Sequence, residues 1–66
     1  MKNNIKVQRA ILNLTQQDLA ERIGVSRQTI NAMEAAKYVP STVLALKLSR
    51  LFEKSVNEIF DLEEGD

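Results

Sequence analysis

Residues 15–34 read TQQDLAERIGVSRQTINAME, and this stretch decides the fold. Apolar residues within 19–23 recur at the spacing of one helix face, and Thr15 ahead of them is a residue type that caps helix N-termini. Gly24 follows at the point where a helix is expected to end in a left-handed conformation. The stretch therefore begins with a short helix and a tight turn.

A second short helix is predicted directly after that turn. Ser26 is its candidate cap, and Ile30 and Met33 form its apolar stripe. The opposite face carries polar side chains of the types that pair with base edges and phosphates in a DNA groove. These side chains are Arg27, Gln28, Thr29 and Asn31. Two short helices in this arrangement predict a helix-turn-helix over residues 15–35.

The composition of the 66 residues excludes several classes of protein. One small domain, residues 1–66, is expected at this length. The chain has no Cys and no His, so we expect no disulfide, no metal site and no cofactor. It also lacks a long apolar run, a signal-peptide pattern, a Gly-rich phosphate loop and paired catalytic groups. We expect a cytoplasmic protein that is not an enzyme, contacts no membrane and binds no small-molecule ligand.

The net charge of zero conceals a polarised chain. Residues 1–52 hold eight basic and three acidic side chains, a net charge of +5, whereas residues 53–66 hold one basic and six acidic ones, a net charge of −5. A basic body favours contact with phosphates, and an acidic tail is expected to lie away from DNA. A merely solvated acidic C-terminus is the alternative.

The remaining sequence predicts an all-α fold with five helices. Residues 5–12 form the first helix, and residues 42–52 form the fourth, capped by the preceding serine. A capping box of the S-x-x-E type at 55–58 opens a short fifth helix. Residues 60–63 can then form a short extended strand that pairs with residues 1–3.

The first helix has two apolar stripes. Ile5 and Leu12 lie on one side, which we expect to pack inward, and Val7 and Ile11 lie on the opposite side. The second stripe is either exposed or brought to the core by a rotated helix. A contact patch for another subunit is the third interpretation.

The sequence resembles the Cro and phage-repressor family of helix-turn-helix regulators, especially its short stand-alone members. Residues 14–34 carry the resemblance together with the loop KYVPS at 37–41. The resemblance implies a compact five-helix domain like that of the lambda repressor. It also implies binding of double-stranded operator DNA as a homodimer, and regulation of transcription.

The resemblance assigns roles to residues at the start of both helices. Gln16 matches the family's glutamine that holds a DNA phosphate and braces the recognition helix; the alternative is that it only caps its own helix. Arg27 and Gln28 match residues that enter the major groove, where such side chains pair with guanine and adenine. A solvated surface role is the alternative for Arg27.

Three further positions match DNA contacts of the family. Asn31 corresponds to a residue that touches bases or the backbone, and Lys37 and Tyr38 correspond to the loop that lies along the phosphates. The ring of Tyr38 could instead pack against the fourth helix. Local hydrogen bonding is favoured over base reading for Thr29.

Arg9 and Ala36 carry predictions of another kind. Arg9 is expected to hold the helix packing through an acidic partner such as Glu34 instead of contacting DNA. Ala36 stands where members of the family usually have Gly or Asn, which suit a left-handed helix end. The third helix could therefore continue through Lys37, which would shift the loop that follows.

The sequence thus predicts a DNA-binding repressor that occupies an inverted-repeat operator as a homodimer. The fifth helix and the acidic tail, residues 53–66, are expected to form the dimer surface through Ile59, Phe60 and Leu62. The alternative is a DNA-binding antitoxin whose acidic tail engages a toxin protein.

Overall fold

The computed structural model describes all 66 residues and has five helices and one two-stranded sheet. Its longest helix has 11 residues, so none of the helices is long enough to cross a membrane. The predicted all-α architecture with a short terminal β pairing is confirmed. In chain order the elements are β1 (Lys2–Asn3), α1 (Ile5–Ile11), α2 (Gln16–Ile23), α3 (Arg27–Glu34), α4 (Thr42–Phe52), α5 (Val56–Ile59) and β2 (Phe60–Asp61).

Side-chain caps begin four of the five helices. In each case the cap's hydroxyl accepts a hydrogen bond from the backbone N–H three residues later, which satisfies one of the free donors at the helix start. The caps of α2 and α5 are full capping boxes, in which an acidic side chain also accepts from the cap's own N–H. The caps are Thr15, Ser26, Ser41 and Ser55, as the sequence predicts.

The turn between α2 and α3 is built on a glycine and an alanine. Gly24 has a φ of 76°, the left-handed conformation that glycine adopts without a steric penalty. Its N–H and that of Val25 both donate to the carbonyl of Ala20, at 2.9 and 3.0 Å. The Ala20 side chain is buried between the helices, so the small methyl group permits their close approach.

The sequence left open whether α3 ends before Ala36 or continues through Lys37, and the structure decides this. Ala36 adopts the left-handed conformation with a φ of 58°, although it is not glycine. Its N–H donates to the carbonyl of Met33 at 3.0 Å, and that of Lys37 donates to Ala32 at 2.9 Å. These two bonds form a Schellman motif, which closes the helix after Glu34. The possibility that α3 continues through Lys37 is therefore wrong.

Ten buried residues, all apolar, form one core to which every helix contributes. They are Ile5, Leu19, Ala20, Ile23, Ile30, Met33, Leu48, Phe52, Ile59 and Phe60. Ile5 is the one buried residue of α1, while Val7 and Ile11 are exposed, so the rotated-helix interpretation is wrong. Leu12 was expected to point inward, and this prediction is wrong because Leu12 is exposed. It lies just after the last residue of α1, at the surface.

The two ends of the chain pair as predicted, over a shorter length. Lys2 lies opposite Asp61 and Asn3 opposite Phe60 in an antiparallel pair. The Asn3 amide also donates to the carbonyl of Met33 at 2.8 Å, which ties the chain start to the end of α3. The terminal pairing therefore helps to hold the C-terminal part of the chain on the helical body.

The three residues expected to form a dimer surface differ in their exposure. Ile59 and Phe60 are only 1% and 7% exposed, because α5 and β2 pack them into the domain's own core. They cannot present an outer surface while this fold is intact, and their expected place in a dimer surface is corrected accordingly. Leu62, at 82% exposure, is the member of the set that remains at the surface.

Candidate nucleic-acid interface

The exposed face of α3 carries the polar side chains that the sequence singles out. Arg27, Gln28 and Asn31 are exposed, while the opposite face buries Ile30 and Met33 in the core. The core thus holds the helix with its polar side outward. The first N–H groups of a helix lack partners within the helix, and they attract anions such as phosphate.

Thr29 has a local role within this helix. Its hydroxyl lies 2.9 Å from that of Ser26, and its N–H donates to the Ser26 hydroxyl at 3.1 Å. These contacts agree with the local hydrogen bonding expected for Thr29. A contact of Thr29 with DNA stays a prediction.

Two open concavities meet at Arg27 and form one surface. The first, of about 350 Å³, lies along α3 and is lined by Arg27, Gln28, Asn31 and Lys37 together with two alanines. The second, of about 570 Å³, lies at the start of α2. It is lined by Arg9, Thr15, Gln16, Gln17 and Arg27. No acidic side chain lines either concavity, so the whole surface suits a polyanion. We call Gln16, Gln17, Arg27, Gln28, Asn31 and Lys37 the recognition surface.

Gln17 belongs to this surface although the sequence pattern does not single it out. It lines the second concavity beside Gln16, and its amide donates to the carboxylate of Glu21 at 3.3 Å. The available signal was its place in the first turn of α2, next to a residue already selected.

Glu34 joins the three helices that carry this surface. Arg9 of α1 donates to it through Nε at 2.9 Å and through a terminal nitrogen at 3.3 Å. The Gln16 amide of α2 donates to the same carboxylate at 3.2 Å. The Arg9 and Glu34 side chains are 16% and 8% exposed, so water screens the pair weakly. The hydrogen bonds to Glu34 raise the pKa of Arg9.

This network bears on the predictions for Arg9 and Gln16. The expected ion pair between Arg9 and Glu34 is present, and Arg9 also donates to the carbonyl of Leu14 at 2.9 Å. Gln16 contacts the recognition helix, and the cap of α2 is Thr15, so the interpretation of Gln16 as a cap is wrong.

The loop after α3 places its two predicted residues differently. Lys37, whose N–H makes one of the two Schellman bonds, lines the concavity along α3. Tyr38 lines neither concavity of the recognition surface and is 43% exposed. The geometry groups Lys37 with the recognition surface, whereas a contact of Tyr38 with DNA stays a prediction.

Comparison with known proteins agrees with this geometry. A helix-turn-helix family model matches residues 5–59, which is most of the chain. The chain belongs to the Cro and phage-repressor family of helix-turn-helix regulators. It is 50% identical over 66 residues to an uncharacterized HTH-type transcriptional regulator of Methanocaldococcus jannaschii, with both chains covered completely.

Two further relatives extend the comparison to other organisms. The uncharacterized HTH-type transcriptional regulator YgzD of Bacillus subtilis is 45% identical over 97% of each chain. A regulator of the same description from Archaeoglobus fulgidus is 45% identical over all of this chain and 93% of its own. Membership of this family makes the protein a DNA-binding transcriptional regulator and not an enzyme.

Proposed function

We propose that this helix-turn-helix regulator represses transcription by occupying an inverted-repeat operator as a homodimer. In each half-site α3 enters the major groove. The continuous recognition surface, which has basic and amide side chains and no acidic one, is the observation that carries this proposal.

Each residue of the surface has a distinct role in the proposal. Arg27 and Gln28 stand at the start of α3, where they reach base edges as bidentate partners of guanine and adenine, each worth about 1–3 kcal/mol of discrimination. Asn31 lies one turn further along the same face and contacts a base or the backbone. Lys37 contacts phosphate without regard to sequence.

Gln16 binds a phosphate in a fixed orientation. Its side-chain nitrogen carries two hydrogens, and Glu34 accepts one of them. The second hydrogen remains free to donate to DNA. Because Glu34 lies on α3, a phosphate held by Gln16 sets the depth at which α3 enters the groove.

The size of the domain supports a dimer. Its principal extents are 32, 23 and 20 Å, and it presents one recognition helix of eight residues. Successive major grooves on one side of DNA lie about 34–36 Å apart, so one domain reaches a single half-site. Two copies read two half-sites, and a two-fold symmetric dimer requires an inverted repeat.

Repression is the regulatory outcome proposed for this binding. A dimer seated on a promoter blocks access to it. No contact in the structure favours the antitoxin alternative, in which the acidic tail engages a toxin.

Selection of bound sites from random duplex DNA tests the proposal. We expect enrichment of an inverted repeat whose half-site centres lie about 10 base pairs apart, with an affinity that falls steeply with salt. Enrichment of no sequence would overturn sequence-specific regulation. Enrichment of a single unrepeated site would overturn the dimer.

Three variants separate base reading from phosphate contact. Gln28→Ala should relax the preference at one base position in each half-site, whereas Lys37→Ala should weaken all sequences equally and reduce the salt slope by about one. Lys54→Ala is the matched control, because this lysine lies outside the recognition surface and should leave both quantities unchanged. Equal effects of the two lysine variants would refute the placement of Lys37.

A further inference from the structure

We propose that a second copy of this chain docks on the outer face of α4. Val39, Val43 and Leu46 form the centre of this interface, and Lys47 and Arg50 of each copy pair with the acidic tail of the other. The inference rests on the homodimer proposed above and assigns its surface, since Ile59 and Phe60 lie in the core.

An exposed apolar patch is formed by Val39, just before α4, and by Val43 and Leu46 on the outer face of α4. Val39, Val43 and Leu46 are 68%, 61% and 58% exposed. Leu46 and Val39 also border a groove of about 270 Å³ that reaches Met1 and Phe60. Clustered apolar side chains beside a groove are typical of a protein contact surface.

Charged groups border this apolar face on two sides. On one side a shallow concavity is lined by Val43, Leu46, Lys47 and Arg50. On the other side the groove reaches Met1, whose amine lies 3.1 Å from the Glu63 carboxylate and 3.0 Å from that of Asp66. Leu46 lines both the groove and the shallow concavity, and therefore lies between Lys47 and Arg50 on one side and Met1 with its two carboxylate partners on the other.

This charge arrangement selects a second copy as the partner. A two-fold axis that passes near Leu46 brings the apolar centre of each copy against that of the other. The same rotation places Lys47 and Arg50 of one copy opposite the partner's acidic tail, twice in each dimer. A surface that is basic on one side and acidic on the other is complementary to itself in this orientation.

The interface leaves the recognition surface free. None of the residues that line the groove or the shallow concavity beside Leu46 belongs to the recognition surface. Val39 follows Lys37 by two residues, so the dimer contact begins where the DNA contact ends. A standard interface of about 800 Å² per subunit would cover roughly a sixth of the 4562 Å² surface of the domain.

The exposed apolar patch on α1 is the competing surface. Val7 and Ile11 are also exposed, but neither lines a concavity. The helix α1 has basic residues and no acidic one, so its own charges offer no complementarity to a second copy. This patch supplies a matched control for the α4 face.

Substitution of a single leucine distinguishes the two surfaces. Leu46→Lys should raise the dimer dissociation constant at least about tenfold, because it places a charge at the centre of an apolar contact. Ile11→Lys puts the same charge at a position of similar exposure, 66%, and should change the constant by less than about threefold. Analytical ultracentrifugation over a range of concentrations measures both, and circular dichroism melting confirms that each variant is folded.

A charge exchange tests the reciprocal pairing. Asp61 and Glu64 are exposed carboxylates of the tail that take no part in the pairing with Met1. Arg50→Glu and the tail variant Asp61→Lys/Glu64→Lys should each weaken self-association at least about threefold, because each opposes like charges. An equimolar mixture of the two should form heterodimers in preference to either homodimer, since opposite charges then meet at both ends. Unchanged self-association of the variants, or a mixture with no preference, would overturn the pairing.

The outcomes also separate this inference from the proposed function. If the wild type is a dimer that Ile11→Lys disrupts and Leu46→Lys does not, the homodimer stands and the α4 surface is wrong. If the wild type stays monomeric when bound to its selected operator, both the homodimer and the surface are wrong. Loss of the dimer in Leu46→Lys alone, with single half-site binding retained, supports both.

Discussion

Removing the charge of Glu34 should destabilise the domain more than any exposed charge change. Glu34→Gln keeps the size of the side chain but leaves the guanidinium of Arg9 largely buried without a negative partner. Breaking a fully buried ion pair costs about 3–5 kcal/mol, and the 16% exposure of Arg9 lets water repay part of it. We therefore expect a loss of about 2–3 kcal/mol in the free energy of unfolding.

A double-mutant cycle measures this coupling directly. Arg9→Met should cost a similar amount, because it leaves Glu34 charged with only the Gln16 amide as a partner. The double variant Arg9→Met/Glu34→Gln removes both charges, and such replacements of buried pairs are often close to neutral. The double loss should thus be smaller than the sum of the single losses by at least about 2 kcal/mol.

The assay is equilibrium unfolding in urea at neutral pH, supported by thermal melting. For a domain of this size a loss of 2–3 kcal/mol corresponds to a fall in Tm of roughly 8–24 °C. Glu21→Gln on the surface of α2 is the control and should change the free energy by less than about 0.5 kcal/mol. Additive single losses would refute the argument, since they would show that Arg9 and Glu34 act independently.

The remaining predictions concern caps and turns. Ala36→Gly should stabilise the domain by about 0.5–1 kcal/mol, because glycine relieves the strain of the left-handed conformation. Ala35→Gly is the control and should not stabilise the domain, because the φ of Ala35 is −82°. A fall in Tm for Ala36→Gly would contradict this prediction. Ser26→Ala should cost about 1 kcal/mol by removing the cap of α3, measured by urea unfolding; no change would contradict the cap. Hydrogen bonds from the capping-box N–H groups lower the pKa of Asp18 and Glu58, so their stabilisation is present at neutral pH and is lost as the pH falls below about 4. When the pH is lowered from about 7 to about 3, the Tm of Asp18→Asn and of Glu58→Gln should therefore fall less than that of the wild type. An equal fall in Tm would refute the effect.

Local chemistry made most of the helices predictable. Thr15, Ser26 and Ser55 begin helices wherever the sequence places them, because a cap acts on backbone N–H groups within three residues of itself. Gly24 ends α2 for an equally local reason, its freedom to adopt a positive φ. The polar face of α3 was predictable in the same way, since it is the side opposite a regular apolar stripe.

Tertiary contacts decided what local chemistry left open. Ala36 has no local preference for the left-handed conformation, so its residue type did not predict that α3 closes there. Asn3 donates to the carbonyl of Met33, so the chain start also contacts the end of this helix. The position of Lys37 on the recognition surface follows from that ending.

The sequence by itself therefore determined the helix starts, the helix-turn-helix and the identity of the residues that face outward on α3. All of these follow from interactions within a few residues or from helical periodicity. Only the tertiary structure decided that Ile59 and Phe60 belong to the core and that the apolar residues of α4 remain exposed. An apolar side chain has the same local pattern whether the domain itself or another surface covers it, and only packing distinguishes the two.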